Sequence, residues 1–241
     1  MIGRIIWFAG LAAVAITTAL LQLDKQSEVA PVVAPMVPAP FRNFAQTQIA
    51  ARAADEGDPR VAVAEARRLV QQRPVPAEYL TLLAVAQAKA GQAEAAGLTI
   101  QIAGQRGWRE PVSQEAVLRL ALNAGDKAEA ARRYAALFLR SGTPDALLIE
   151  LGPQVLGDAG GPGRQTMVDI VAGGERWYEL FLQRGAQVMP PAAFAAITAD
   201  SIKRGAQFDC QVLRQSIGAI AQRDATAAAQ LTAAAAANCP A

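Results

Sequence analysis

The chain has 241 residues, enough for one sizeable hydrophobic core or two small ones. Its 23 Lys+Arg and 21 Asp+Glu leave a formal net charge of +2, spread evenly, which gives no electrostatic basis for a nucleic-acid partner. Histidine is absent, which excludes His-based triads, His metal sites and imidazole acid–base catalysis.

Only 5% of residues are aromatic and strand formers are sparse, whereas Ala, Leu, Arg, Gln and Glu abound. This composition favours helix throughout and predicts an all-α fold.

From Ile5 to Leu23 the chain reads IIWFAGLAAVAITTALLQL without a charge. A helix of roughly 19 residues at ~1.5 Å per residue covers the ~30 Å hydrocarbon layer. Arg4 and the terminal amine precede the run; Asp24, Lys25 and Glu28 follow it. The positive-inside bias then predicts residues 1–4 in the cytoplasm and a single transmembrane anchor over 5–23 of a bacterial inner membrane, with the body in the periplasm. A cleaved signal peptide is the alternative, although its apolar core is normally shorter and no convincing A-x-A site follows Leu23.

Residues 24–42 form a Pro-rich linker. Its stretch VAPVVAPMVPAP, Val29 to Pro40, carries four prolines, which predicts an extended, semi-rigid polyproline spacer or a disordered one.

A repeat follows. Gly57, Gly91 and Gly125 are spaced 34 and 34 apart (91−57 and 125−91), in the contexts DEGDPRVAVAEA, KAGQAEAAGLTI and NAGDKAEAARRY. A glycine followed by a short polar pair suits the turn of a helical hairpin. Alanine stands five residues after each glycine, at Ala62, Ala96 and Ala130, where a small side chain allows close helix approach. Breakers fall between the units at Pro74, Pro76, Pro111 and Pro144. Thr143 is the expected N-cap of the helix that Pro144 opens.

A 34-residue helix–turn–helix period resembles the tetratricopeptide repeat (TPR) family over three units, about 43–141. The family's Ala-x-x-x-aromatic stretch stands as Ala130–Tyr134 and weakens to Ala96–Ile100 and Ala62–Ala66. Its closing proline is matched by Pro74, and its first-helix pattern survives in outline as Leu80, Leu83, Ala84 and Gln87. A generic array of helical hairpins would read much the same. The resemblance implies an α-solenoid whose first helices line a concave groove for an extended peptide or a partner helix. By position, the first unit contributes Phe44, Thr47, Ala51, Ala54 and Asp55 to that groove. The second contributes Glu78, Thr81, Val85, Ala88 and Lys89. The third contributes Val112, Glu115, Arg119, Leu122 and Asn123.

Pro153 is expected to break the first helix of a fourth unit, so the array is taken as 43–157 and the remainder, 158–241, as a C-terminal helical cap. The loop GDAGGPGRQT lacks the phosphate-loop pattern, offering Arg164 where lysine is required. Helices are expected over 165–183, with an interruption at Gly173–Gly174, and over 191–204, 206–222 and 224–238. Trp177, Leu180 and Phe181 share one helical face, which is ordinary core packing. Cys210, Leu213, Ile217 and Ile220 form another stripe, and Asp224 caps the helix after it.

That last hairpin turns near Arg223–Asp224. Cys210 lies 14 residues before Asp224 and Cys239 lies 15 after it (224−210 and 239−224). Two helical arms of ~21 Å bring the thiols level, which predicts a disulfide between Cys210 and Cys239 in an oxidising compartment. Two free thiols, or a bridge between chains, are the alternatives.

The acidic candidates for chemistry are Asp55, Glu56 and Asp58 at one turn, and Glu175 with Glu179. They sit at helix ends or beside arginine, where capping and surface pairing are ordinary. No catalytic, metal or cofactor site is expected. Two functions remain. One is a periplasmic scaffold or adaptor that binds protein partners in an envelope assembly such as secretion, polysaccharide export or membrane-complex assembly. The other is an envelope glycoside or peptidoglycan hydrolase, or its accessory subunit, using helical carboxylates.

Overall fold

The computed structural model describes residues 2–239, which are helical throughout with no strand among them. The chain divides into two compact units, Met1–Gly107 and Trp108–Ala241.

The first unit opens with helix α1, Ile2–Val29, which is long and apolar enough to cross a membrane and whose apolar stretch lies open on the surface. Its buried residues are Asp24 and Ser27, and Leu20 and Leu23 are half-buried on the same helical face. The next segment departs from the extended spacer expected of it. Pro31–Met36 and Ala39–Phe41 wind into two 3-10 turns that pack along α1. Pro31 stands at the first position of its turn and Pro38 just before the next, where neither needs an N–H. Ala34 and Val37 are 1% and 0% exposed and pack with Ala45, Leu23, Phe41 and Ile49. Burial of these side chains outweighs the polyproline preference of the local sequence.

Helices α2 (Phe44–Glu56), α3 (Pro59–Gln72), α4 (Ala77–Lys89) and α5 (Ala93–Arg106) come next. Helix α2 packs on α3, α3 on α4 and α4 on α5, and α2 also packs on α4. The second unit holds α6 (Pro111–Asn123), α7 (Lys127–Phe138), α8 (Asp145–Leu156), α9 (Pro162–Ala172), α10 (Tyr178–Val188), α11 (Pro191–Lys203), α12 (Cys210–Ala221) and α13 (Ala225–Asn238). Here α6 pairs with α7. Beyond that pair, the odd helices α7, α9, α11 and α13 pack in series, and the even helices α8, α10 and α12 do the same. Tyr134, Phe138, Phe181 and Phe194 fill the core between them.

The 34-residue register recurs in the hydrogen bonds. Gly91 and Gly125 take the left-handed conformation, with φ of 74° and 76°. Gly91 donates to Ala88 O at 3.0 Å and Gln92 to Gln87 O at 2.9 Å; Gly125 donates to Leu122 O at 3.0 Å and Asp126 to Ala121 O at 2.9 Å. These are paired Schellman closures. Gly57 differs: its backbone is extended, and Asp58 starts α3 by accepting from the Arg60 and Val61 amides. The alanines at 62, 96 and 130 are all buried, as are Ala66, Ile100 and Tyr134 four residues further on.

Two expectations at α8 need correction. Pro153 lies inside the helix rather than ending it. It stands near the C-terminal end, and Gly152 before it leaves room for Pro190, whose Cδ would lie 3.1 Å from an added Cβ. Thr143 does not cap the helix; its hydroxyl is buried without a hydrogen-bond partner among the described residues, and α8 begins one residue later than expected, at Asp145. The interruption expected at Gly173–Gly174 is present, followed by a short 3-10 turn, Glu175–Trp177. Helix α12 starts at Cys210 instead of Ala206 because Asp209 caps it, accepting from the Gln211 and Val212 amides at 2.9 Å each.

Candidate partner-binding faces

In the first unit, α2 and α4 bring the first-helix positions together. Thr47 Oγ1 donates to the Tyr79 hydroxyl at 3.4 Å. The Arg73 guanidinium sits 5.8 Å from the Phe44 ring centre and 5.5 Å from that of Tyr79, so one cation serves two aromatic rings. Phe44, Thr47 and Val85 are half-buried and Glu78 is exposed. Lys89 is exposed along its stem, but its ammonium donates to Ala54 O, tying the end of α4 to the end of α2. Thr81 is a correction: it is buried and its hydroxyl donates back to Ala77 O at 3.2 Å, so it lines no surface. Ala54 is buried too.

In the second unit, Arg119 on α6 donates to Glu115 one turn earlier, at 2.9 Å, and to Glu150 on α8, at 3.1 Å. The Glu115 hydrogen bond and then that of Glu150 outweigh the opposing effect of burial and hold the guanidinium above its ordinary pKa. Asn123 is exposed at the end of the same helix. Glu150 lies outside the expected groove residues, because the resemblance stops short of α8.

The register carries a second signature that the sequence pattern does not expose. Gln46 on α2 donates from Nε2 to Glu65 on α3 at 2.7 Å, and Gln114 on α6 accepts from Arg133 on α7 at 3.2 Å. Both bonds join residues 19 apart, and the two pairs are offset by 68, twice the period (114−46 and 133−65).

The structure joins Cys210 and Cys239 in a disulfide, with Cα atoms 5.8 Å apart. Beside it, the Asn238 side chain brackets Phe208: Phe208 N donates to Oδ1 at 2.9 Å and Nδ2 donates to Phe208 O at 2.8 Å. Arginines hold the other joints. Arg184, 13% exposed in its side chain, donates to the carbonyls of Phe138, Arg140 and Thr143 and to Asp145 Oδ1. Arg223 reaches the carbonyls of Ala186 and Met189. Arg164, in the glycine-rich loop, binds the carbonyls of Leu156 and Gly157 at the end of α8. A planar guanidinium can collect several such carbonyls at once, which an ammonium on a flexible stem does poorly.

The acidic candidates are engaged locally. Asp58 caps α3, Glu56 lies 3.7 Å from Arg52, and Glu179 accepts from Gln183 at 3.1 Å. Asp55 and Glu175 are exposed. Trp177 and Phe181 line an apolar crevice with Phe138, Met167 and Tyr178; its 20 Å³ is about the space of one water and holds no carboxylate. Compared with protein-family models, curated proteins and solved structures, the chain matches none.

Proposed function

We propose that this protein is a membrane-anchored scaffold whose TPR-like body, exported to the periplasm, binds protein partners of a bacterial envelope assembly. The observation that carries this reading is the 34-residue register of paired helices, closed by matching turns at Gly91 and Gly125. Stacked hairpins in register expose a run of first helices, and such surfaces serve to hold extended peptides or helices. The alternating packing of α7 to α13 supports extending the stack through the C-terminal half. The disulfide suits an oxidising compartment.

A retained anchor is favoured over a cleaved leader by the residues just past the apolar run. Asp24 and Ser27 are buried parts of the body, so a processing site close behind Leu23 would remove groups that the fold uses.

Topology is tested with a reporter fused at the C-terminus, expected to be active only when exported; cytoplasmic activity would overturn the placement. Partner binding is tested by crosslinking and affinity purification of the full chain from native membranes, comparing Glu78→Gln and Arg119→Gln with the parent. Loss of a specific partner with unchanged thermal stability supports the groove. Undiminished capture by these and other first-helix variants would move the partner elsewhere.

A further inference from the structure

The chain beyond α1 does not leave it. Residues 31–41 run back along the helix, with both 3-10 turns packed on it. Leu23 packs into the cluster of Ala34, Val37 and Ala45. The backbone amides of Asn43, Phe44 and Ala45 all donate to the Asp24 carboxylate. The strap and the start of α2 are therefore fixed at the level of Leu23–Asp24, where the apolar run meets its first charge.

The strap has two faces. Ala34 and Val37 point into the body, whereas Val32 and Met36 are 75% and 68% exposed. These two large apolar side chains are left open on a segment otherwise packed into its unit, with nothing among its described residues to cover them. The adjoining cleft, lined by Pro35, Arg42, Ile49, Arg52 and Glu56, pairs Arg52 with Glu56 and leaves the guanidinium of Arg42, whose Nε donates to Val37 O at 2.7 Å, as one positive charge in excess at the rim, the charge that a lipid phosphate takes.

We infer that this strap is a membrane-interface seat: Val32 and Met36 lie in the headgroup–acyl boundary of the leaflet from which α1 emerges. The inference rests on α1 spanning the bilayer. The occupant is set by continuity, because a patch pinned to the end of an apolar span meets that leaflet before any other partner. Apolar side chains flanked by basic ones are the composition of interfacial segments. The body is then seated on the bilayer and does not float above it on a spacer.

The test uses the full chain in liposomes of mixed zwitterionic and anionic lipid. Val14→Cys, Val32→Cys, Met36→Cys and Gln101→Cys variants are each labelled with an environment-sensitive fluorophore, and the liposomes carry brominated acyl chains. All four side chains are exposed or lie on the apolar helix, and the native cysteines are joined to each other, so labelling leaves the fold intact. Emission at position 14 should fall most. Positions 32 and 36 should lose about half as much, as expected for side chains ~5–10 Å into the boundary, and position 101, on α5 away from α1, should be unaffected. Quenching at 14 with none at 32 and 36 overturns the seat and leaves the anchor standing, pointing to a protein or a second copy as occupant. No quenching at 14 overturns the anchor, and the seat with it.

Discussion

The carboxylate of Asp24 accepts a hydrogen bond from the backbone amide of Ala45 at 2.9 Å, across 21 residues of sequence. With the Asn43 and Phe44 amides at 2.8 and 3.2 Å, it does for α2 what an N-cap side chain does from the position next door. Asn43, the residue at the local cap position, makes no side-chain cap bond, so Asp24 satisfies amides that α2 cannot satisfy itself.

Asp24→Ala should therefore destabilise the first unit by about 2 kcal/mol, the upper range for a lost cap, because three amides, that of Ala45 buried, lose their acceptor together. Asp24→Asn, which keeps an acceptor oxygen, should cost less. Thermal unfolding in detergent, with limited proteolysis between residues 30 and 42, measures both. An unchanged midpoint and an uncut strap for Asp24→Ala would contradict the linkage. A soluble version beginning at Phe41 should be less stable than one beginning before Asp24.

Reducing the Cys210–Cys239 bridge, or replacing both cysteines with serine, should lower stability by ~3–4 kcal/mol on the chain-entropy scale. The loss should appear first as proteolysis within α12 and α13, while α6 and α7 stay protected. Asn238→Ala removes both bonds to Phe208 and should open the same hairpin with the disulfide intact.

Arg184→Lys should cost roughly 2–3 kcal/mol despite conserving charge, because a single ammonium cannot serve the acceptors that the guanidinium holds. Chemical denaturation compares this variant with Lys203→Arg, an exposed position where no such loss is expected.

Glu129 gives the pH dependence. Burial raises its pKa, but hydrogen bonds from Arg132 and Arg133 outweigh that and leave it below the ordinary carboxylate value. A depressed folded pKa means that its stabilisation is present above the unfolded value and is lost as pH falls through the folded one. Hydrogen exchange in α7 should accelerate over that acidic interval, and Glu129→Gln should flatten the dependence. An identical acid profile for the variant would place the effect on other groups.

Features that depend on nearby residues are legible in the sequence. The cap at Asp224, the interruption at Gly173–Gly174 and the pairing of two cysteines at matched distances from one turn depend on residues within a few helical turns of each other. Features set by distant partners escape it. The prolines of 31–40 describe a chain in water, whereas Ala34 and Val37 are fixed by contacts with α1 and α2. Pro153 should break an isolated helix, but it stands near the end of α8, where the burial of Leu148, Leu151, Val155 and Leu156 holds the helix in place. Among the first-helix positions, Thr81 is assigned to the groove by phase alone; its burial, and the capture of the Lys89 ammonium by Ala54 O, depend on how α4 meets its neighbours.

The two glutamines invite a last consequence. Gln46 meets a glutamate and Gln114 an arginine at matching positions, one amide donating and the other accepting. An amide is a two-sided plug, its nitrogen suited to a carboxylate and its oxygen to a guanidinium, and the Gln46 nitrogen is held as well by the Glu65 carbonyl at 3.1 Å, which any residue at 65 would keep. Gln46 Oε1, buried without a partner among the described residues, is the unused side of that plug, the atom to which an arginine at position 65 would bind. A copied hairpin that carried arginine at position 65 would thus keep the main-chain bond to Gln46 and offer its guanidinium to the amide oxygen.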